Sequence, residues 1–151
     1  MMNRVRGLIA IAAFSLLSAA AYAGDFFETD GVALRGYDPV AYFASAKPQQ
    51  GQSQYSYDYK GSRFYFSSEE NRRAFMETPE KYAPQFGGYC AYGTSQGYKV
   101  STQPDAFAVV KDKLYLNYNK KVQGIWQQDV PGNIERAEKN WPEVQKAPQK
   151  D

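Results

Sequence analysis

The chain has 151 residues, 43% hydrophobic and 16% aromatic, with 18 lysines and arginines against 16 aspartates and glutamates. That balance, with no basic run interleaved with aromatics, removes any case for nucleic acid as a partner, because steering a phosphate backbone needs a concentrated positive field. Histidine is absent and cysteine occurs once, so one subunit runs short of the thiolate, thioether and imidazole donors that zinc and copper sites require.

In chain order, the first segment is a targeting signal. Arg4 and Arg6 form a positive start, Leu8 to Leu17 an apolar stretch, and Ala21-Tyr22-Ala23 a small-x-small cleavage site. This is the pattern of a secretory signal peptide over residues 1–23. A membrane anchor is the alternative, but Ser15 and Ser18 interrupt a run already short of the roughly 20 residues a span needs. The expectation is a periplasmic or secreted chain that leaves the membrane on cleavage. Cleavage also removes Arg4 and Arg6, and the remaining 16 basic residues match the 16 acidic ones. Residues 24–142 are one domain's length, able to bury a core without disulfides, and 143–151 read as a charged, flexible tail.

Gly24 to Asp30 reads as a polar lead-in. Asp38-Pro39 then reads as an N-cap with proline in the first turn of a short helix, followed by a loop over Ala44 to Gln54. Tyr55 to Tyr59 alternates aromatic and polar residues, Lys60-Gly61 marks a tight turn, and Arg63 to Phe66 completes a hairpin. Ser67-Ser68-Glu69-Glu70 fits a capping box with Ser67 as the cap, predicting a helix to about Glu77 with Phe75 and Met76 on its buried side. Thr78-Pro79 starts a further turn through Tyr82, which Pro84 ends. After a polar loop from Tyr98 to Asp105, Ala106 to Val110 and Lys113 to Tyr118 flank Lys111-Asp112 as a second hairpin. Val122, Ile125 and Trp126 share a helical face, and a helix led by Pro131 carries Ile134, Ala137 and Trp141. The fold class is therefore α+β: a small antiparallel sheet of two hairpins with helices packed on it. Residues 55–82 and 106–141 share the order hairpin, helix, proline, helix, which two pseudo-repeats would produce as readily as chance recurrence.

Chemistry concentrates in Phe86-Gly-Gly-Tyr-Cys-Ala-Tyr-Gly93. Gly87 and Gly88 free the backbone for positive φ or a close approach, delivering Tyr89, Cys90 and Tyr92 directly after the turn. Tyr37 and Asp38 beside Pro39, and Tyr118 between Asn117 and Asn119, complete a candidate ligand site if the three segments converge into an aromatic-walled pocket. Cys90 admits three readings. It is a small buried hydrophobe, a thiol activated by a cation or backbone N–H groups, or a ligand contact. The last includes a two-fold homodimer whose paired Cys90 thiolates hold one Cu(I) ion or form a disulfide. The glutamates Glu69, Glu70, Glu77 and Glu80 are spaced for capping and solvated faces, with no pair placed for acid–base work.

Five blocks in order resemble the exported YHS domain-containing proteins: Gly36-Tyr-Asp-Pro-Val-Ala-Tyr-Phe43, Phe64 to Phe75, Pro79-Glu-Lys-Tyr-Ala83, Gly87-Gly-Tyr-Cys-Ala-Tyr92 and Leu114-Tyr-Leu-Asn-Tyr-Asn119. The resemblance spans about residues 31–142. It implies a small domain similar to the TRASH-type metal-binding modules, found fused to copper-transporting ATPases, with metal-binding cysteines around a strand-to-helix junction. Here that junction carries Ser67, Ser68 and Asn71, and a hydroxyl does not replace a thiolate for a soft ion. The leading functional expectation is a non-enzymatic exported module that binds a small ligand or assists metal handling, with copper implied by the resemblance alone. Its rivals are a thiol-dependent enzyme or redox factor working through Cys90 and a purely structural interaction domain.

Overall fold

The computed structural model describes residues 24–151, and the signal peptide expected over 1–23 lies outside the described residues. Strand β1 (Glu28–Thr29) pairs with β2 (Val32–Ala33) through Asp30-Gly31, whose φ values of 53° and 78° make the two-residue primed turn that a right-twisted hairpin favours. The stretch expected to be a polar lead-in thus contains half a hairpin, and its Phe26 and Phe27 are buried. Helix α1 (Ala41–Ala44) follows, then β3 (Gln52–Tyr59) and β4 (Ser62–Phe66), joined by the left-handed pair Lys60-Gly61. These strands form one four-stranded sheet in the order β1-β2-β4-β3, with β2 beside β4 in parallel.

Helix α2 (Glu69–Glu77) packs on that sheet, and the one-turn α3 (Pro79–Tyr82) follows against α2. Phe75 is fully buried against Phe64, Phe66 and Tyr59, with ring centroids 5.0, 5.2 and 5.6 Å away; burying such a ring contributes about 1.5–3 kcal/mol. Met76, expected on the same face, is 40% exposed, because adjacent helical residues diverge by about 100° and only one of them can face the sheet. Ile125 is exposed for the same reason beside a fully buried Trp126 in α5 (Lys120–Trp126).

The α+β class is observed, but the two expected hairpins do not share a sheet. Strands β5 (Phe107–Val110) and β6 (Lys113–Leu116) form a separate two-stranded sheet. The physical reason is that β6 is buried on both faces. Leu114 and Leu116 enter one hydrophobic cluster with Phe64, Phe66 and Phe75, while Tyr115 enters a second with Phe86, Trp126 and Ala137. The hairpin is a partition between two cores. Helix α6 (Val130–Val144) closes the second core with Ile134, Ala137 and Trp141 and runs past Pro142 to the buried Val144. Beyond it, Lys150 N–H donates to the Lys99 carbonyl at 2.9 Å, and the Ser101 hydroxyl donates to the Asp151 carboxylate.

Two short turns lock the cores together. Leu34, Arg35 and Gly36 have φ of 55°, 56° and 79°, and Phe86, Gly87 and Gly88 have 54°, 61° and 78°. Leu34 N–H donates to the Phe27 carbonyl at 3.0 Å, and Phe27 N–H donates to the Gly87 carbonyl at 2.8 Å. The Thr102 hydroxyl reaches the Gly88 carbonyl at 2.7 Å while the Arg35 guanidinium donates to the Thr102 carbonyl at 2.9 Å. A Cβ on Gly87 would lie 2.5 Å from the Asp25 carbonyl oxygen, and one on Gly88 2.5 Å from a Leu34 methyl. Gly31 has the same backbone hand with open space around it. Gly31→Ala should therefore cost only the left-handed strain of about 1 kcal/mol, and Gly87→Ala about 3 kcal/mol or more from the added overlap with backbone. Urea unfolding of the two variants measures the difference, and equal losses would show that the close approach contributes nothing.

Candidate functional site

The residues singled out in the sequence separate into three environments. The first surrounds Asp38, which is fully buried. Its Oδ1 accepts from the N–H groups of Val40 at 2.8 Å and Ala41 at 3.3 Å, the capping role expected of it at the start of α1. Its Oδ2 accepts from Ser67 N–H at 2.8 Å, the Ser67 hydroxyl at 2.7 Å and the Asn71 amide at 2.8 Å. Ser67 therefore does not cap α2. Ser68 does, accepting from Asn71 N–H at 3.1 Å, because the Ser67 hydroxyl is committed to a charged acceptor, the stronger bond. Tyr37 lies next in chain and pairs by an isolated bridge with Gln50. Tyr42, packed nearby, donates its hydroxyl to the Pro104 carbonyl, and burial pushes its phenol well above the ordinary value.

The second environment surrounds Cys90, 1% exposed at the start of α4 (Ala91–Ser95). Its sulfur accepts from Gly93 N–H at 3.3 Å and Tyr118 N–H at 3.2 Å, and lies 3.6 Å from Asn117 Oδ1, which also accepts from Tyr92 N–H at 3.1 Å. So Cys90, Tyr92 and Tyr118 do come together, but through main-chain groups. The Tyr118 ring itself is 41% exposed. Burial pushes the Cys90 thiol up, and the N–H groups of Gly93 and Tyr118 oppose that only in part. Asn117, fully buried with its Nδ2 lacking a partner, joins the end of β6 to α4; only its place beside Tyr118 marked it in the sequence.

The third environment is an open cleft of about 250 Å³ where the two cores meet. Gly87 lines it, with rings from Phe26, Tyr59, Phe86 and Trp141 and the charged groups of Asp25, Lys60 and Glu80. Tyr89 stands behind it, its ring 6.4 Å from Trp141 and 4.7 Å from the Lys99 ammonium; burial raises the Tyr89 phenol, and also lowers Lys99. Asp38, Cys90 and Tyr118 share no cavity with Gly87 among those lined by the described residues. The sequence places Tyr59 in a hairpin, Trp141 on a helix, Phe26 in the polar lead-in and Phe86 at the head of the glycine turn, and nothing in their spacing signals that these segments converge.

Donor chemistry bears on the metal that the resemblance implies. No group of three or more Cys, Asp or Glu side chains among the described residues could hold an ion. At the strand-to-helix junction the Asp38 carboxylate already receives five donors, and the Cys90 sulfur already receives two. These residues do not fit a soft-metal centre.

A small α+β domain with this hairpin, capped helix and glycine turn is the structural class. The YHS domain family model matches residues 40–86, the segment from α1 through β3, β4, α2 and α3 to the glycine turn, so this segment is similar to a YHS domain. No curated protein and no solved structure matches the chain. No helix among the described residues is long and apolar enough to cross a membrane.

Removing the buried acceptor should be costly. Asp38→Ala removes the acceptor from five donors, of which the N–H groups of Val40, Ala41 and Ser67 have no side-chain alternative, and a loss of about 3 kcal/mol or more in urea unfolding is expected; a loss below about 1 kcal/mol would mean that water replaces the carboxylate freely. For Cys90 the sign follows from burial. Its folded value is raised, so its contribution is complete below the ordinary thiol value of about 8.5 and is lost as pH rises through the folded one. Maleimide should label native protein at neutral pH only as fast as the chain opens, and stability should fall above about pH 8.5 more steeply in wild type than in Cys90→Ala. Rapid labelling of folded protein would contradict this geometry.

Proposed function

We propose that this protein is a non-enzymatic, exported binding module whose small-molecule ligand enters the cleft beside Gly87. The observation that carries the reading is the meeting of four rings, Phe26, Tyr59, Phe86 and Trp141, around a cavity rimmed by Asp25, Glu80 and Lys60. Aromatic walls with a few charged groups suit a small ring compound bearing an amino group, the ring stacking on Trp141 and the ammonium meeting the carboxylates. Glu80 is held toward the cleft by the Tyr59 hydroxyl at 3.5 Å. The groups best suited to catalysis are already committed, since the sole thiol and the most deeply buried carboxylate both have their lone pairs engaged inside the fold. A copper role has the family resemblance behind it and no donor set to carry it.

Trp141 provides the readout, since it lines the cleft whereas Trp126 is fully buried elsewhere. Tryptophan emission should change saturably with tyramine or glucosamine as probes, or with fractions of an extract of the exported compartment. Trp141→Phe should abolish the change, and Glu80→Gln should weaken an amine probe about tenfold, equivalent to about 1.4 kcal/mol. If no probe or fraction gives a saturable change, or if the change survives Trp141→Phe, the cleft is not the site. Copper bound at fixed stoichiometry and lost in Cys90→Ala would instead restore the metal reading.

A further inference from the structure

A second groove, of about 320 Å³, lies on the far side of the β5–β6 hairpin, between it and α6. Its floor is apolar, formed by Val110, Tyr115, Val130, Pro131 and Ile134. Its two lips carry opposite charge. Lys111 and Lys113 stand on the hairpin lip, and Glu135 and Glu138, three residues apart on one side of α6, stand on the other. All four side chains belong to exposed residues, and none has an ion-pair partner among the described residues. Some exposed carboxylates elsewhere in the fold do find partners, as Asp58 does with Arg63 and Glu69 with Arg72 and Arg73. Across this groove the opposing charges stay apart, with an apolar floor left open between them.

We propose that this groove is the interface of a homodimer, occupied by the same groove of a second copy. A two-fold axis lying in the interface and running along the groove brings the copies face to face and exchanges the lips, so each lysine pair faces the partner's glutamate pair across the apolar side chains of Val110, Val130 and Ile134. An isologous contact requires such self-complementarity, since each patch must match itself after rotation. Attraction at the rim sets register and orientation, and apolar burial at the centre supplies most of the affinity. Cys90, walled in at 1% exposure, lies outside this interface, so the dimer needs neither a disulfide nor a shared metal ion.

Sedimentation velocity of the chain from residue 24 onward, run across a concentration series, tests the proposal. Wild type should pass from monomer to dimer as concentration rises. Lys111→Glu with Lys113→Glu makes both lips negative, and Glu135→Lys with Glu138→Lys makes both positive, so each double variant should remain monomeric with an unchanged unfolding midpoint. Mixing the two should restore dimer, as a heterodimer, weakening as salt screens the rim. To separate specific docking from general attraction, Val110→Asp in one member of the mixed pair should abolish the heterodimer. A wild-type monomer at every concentration overturns the proposal, whatever else the groove binds, and so does a dimer indifferent to both charge reversals.

Discussion

The fold depends on the close approach of two left-handed turns. Residues 34–36 belong to the sheet side and residues 86–88 to the helix side, and each places a stretch of backbone where a side chain would otherwise stand. Phe27 bridges them with hydrogen bonds in both directions, and Thr102 clamps the pair from the loop before β5. Because Leu34 belongs to one hydrophobic cluster and Phe86 to the other, this junction sets the spacing of the two cores. The cleft beside Gly87 is what that spacing leaves open. Leu34, Arg35 and Phe86 carry the steric cost of positive φ without glycine's exemption, which a surrounding network of hydrogen bonds must over-determine.

Polar groups in the interior are nearly all committed to holding segments in place. Asp38 gathers the start of α1 and the β4–α2 junction with five hydrogen bonds, so a charge that would be expensive to bury alone becomes an organising centre. Cys90 and Asn117 do the same for α4 and the end of β6. This explains how the YHS-like segment keeps its shape at a junction whose serines and asparagine offer no soft ligand. The cleft beside Gly87 and the groove against α6 combine apolar or aromatic floors with charged rims, and both lie at seams between elements.

The recurrence of hairpin, helix, proline and helix is present in space as in sequence, down to two-residue left-handed turns at 60–61 and 111–112 and side-chain caps at Ser68 and Asn119. The copies nevertheless serve different ends. The first hairpin joins a larger sheet through β2, whereas the second stands alone as a partition whose strand β6 is buried on both sides, and α6 has 15 residues where α3 has four. The hairpin at 28–33 was legible in principle, since Asp30-Gly31 is a strong turn signal, but its strands of two residues are too short to show alternation. Its pairing is imposed by β4.

What the sequence by itself determined was local: turns at Lys60-Gly61 and Lys111-Asp112, the cap from Asp38, a serine-capped helix start near residue 68 although Ser67 was the serine expected to cap it, the left-handed glycine turn, and an α+β class built from them. These depend on the intrinsic preferences of neighbouring residues, which act over one or two turns of chain. Tertiary structure alone decided which way Cys90 faces, that Asp38 binds Ser67 and Asn71 rather than the cysteine turn, and that Phe26, Tyr59, Phe86 and Trp141 surround one hollow. Those outcomes depend on contacts between residues distant in sequence, as from Phe26 to Trp141, and on which side of a strand is buried. A strand buried on both sides, as β6 is, carries no alternation from which its orientation could be read.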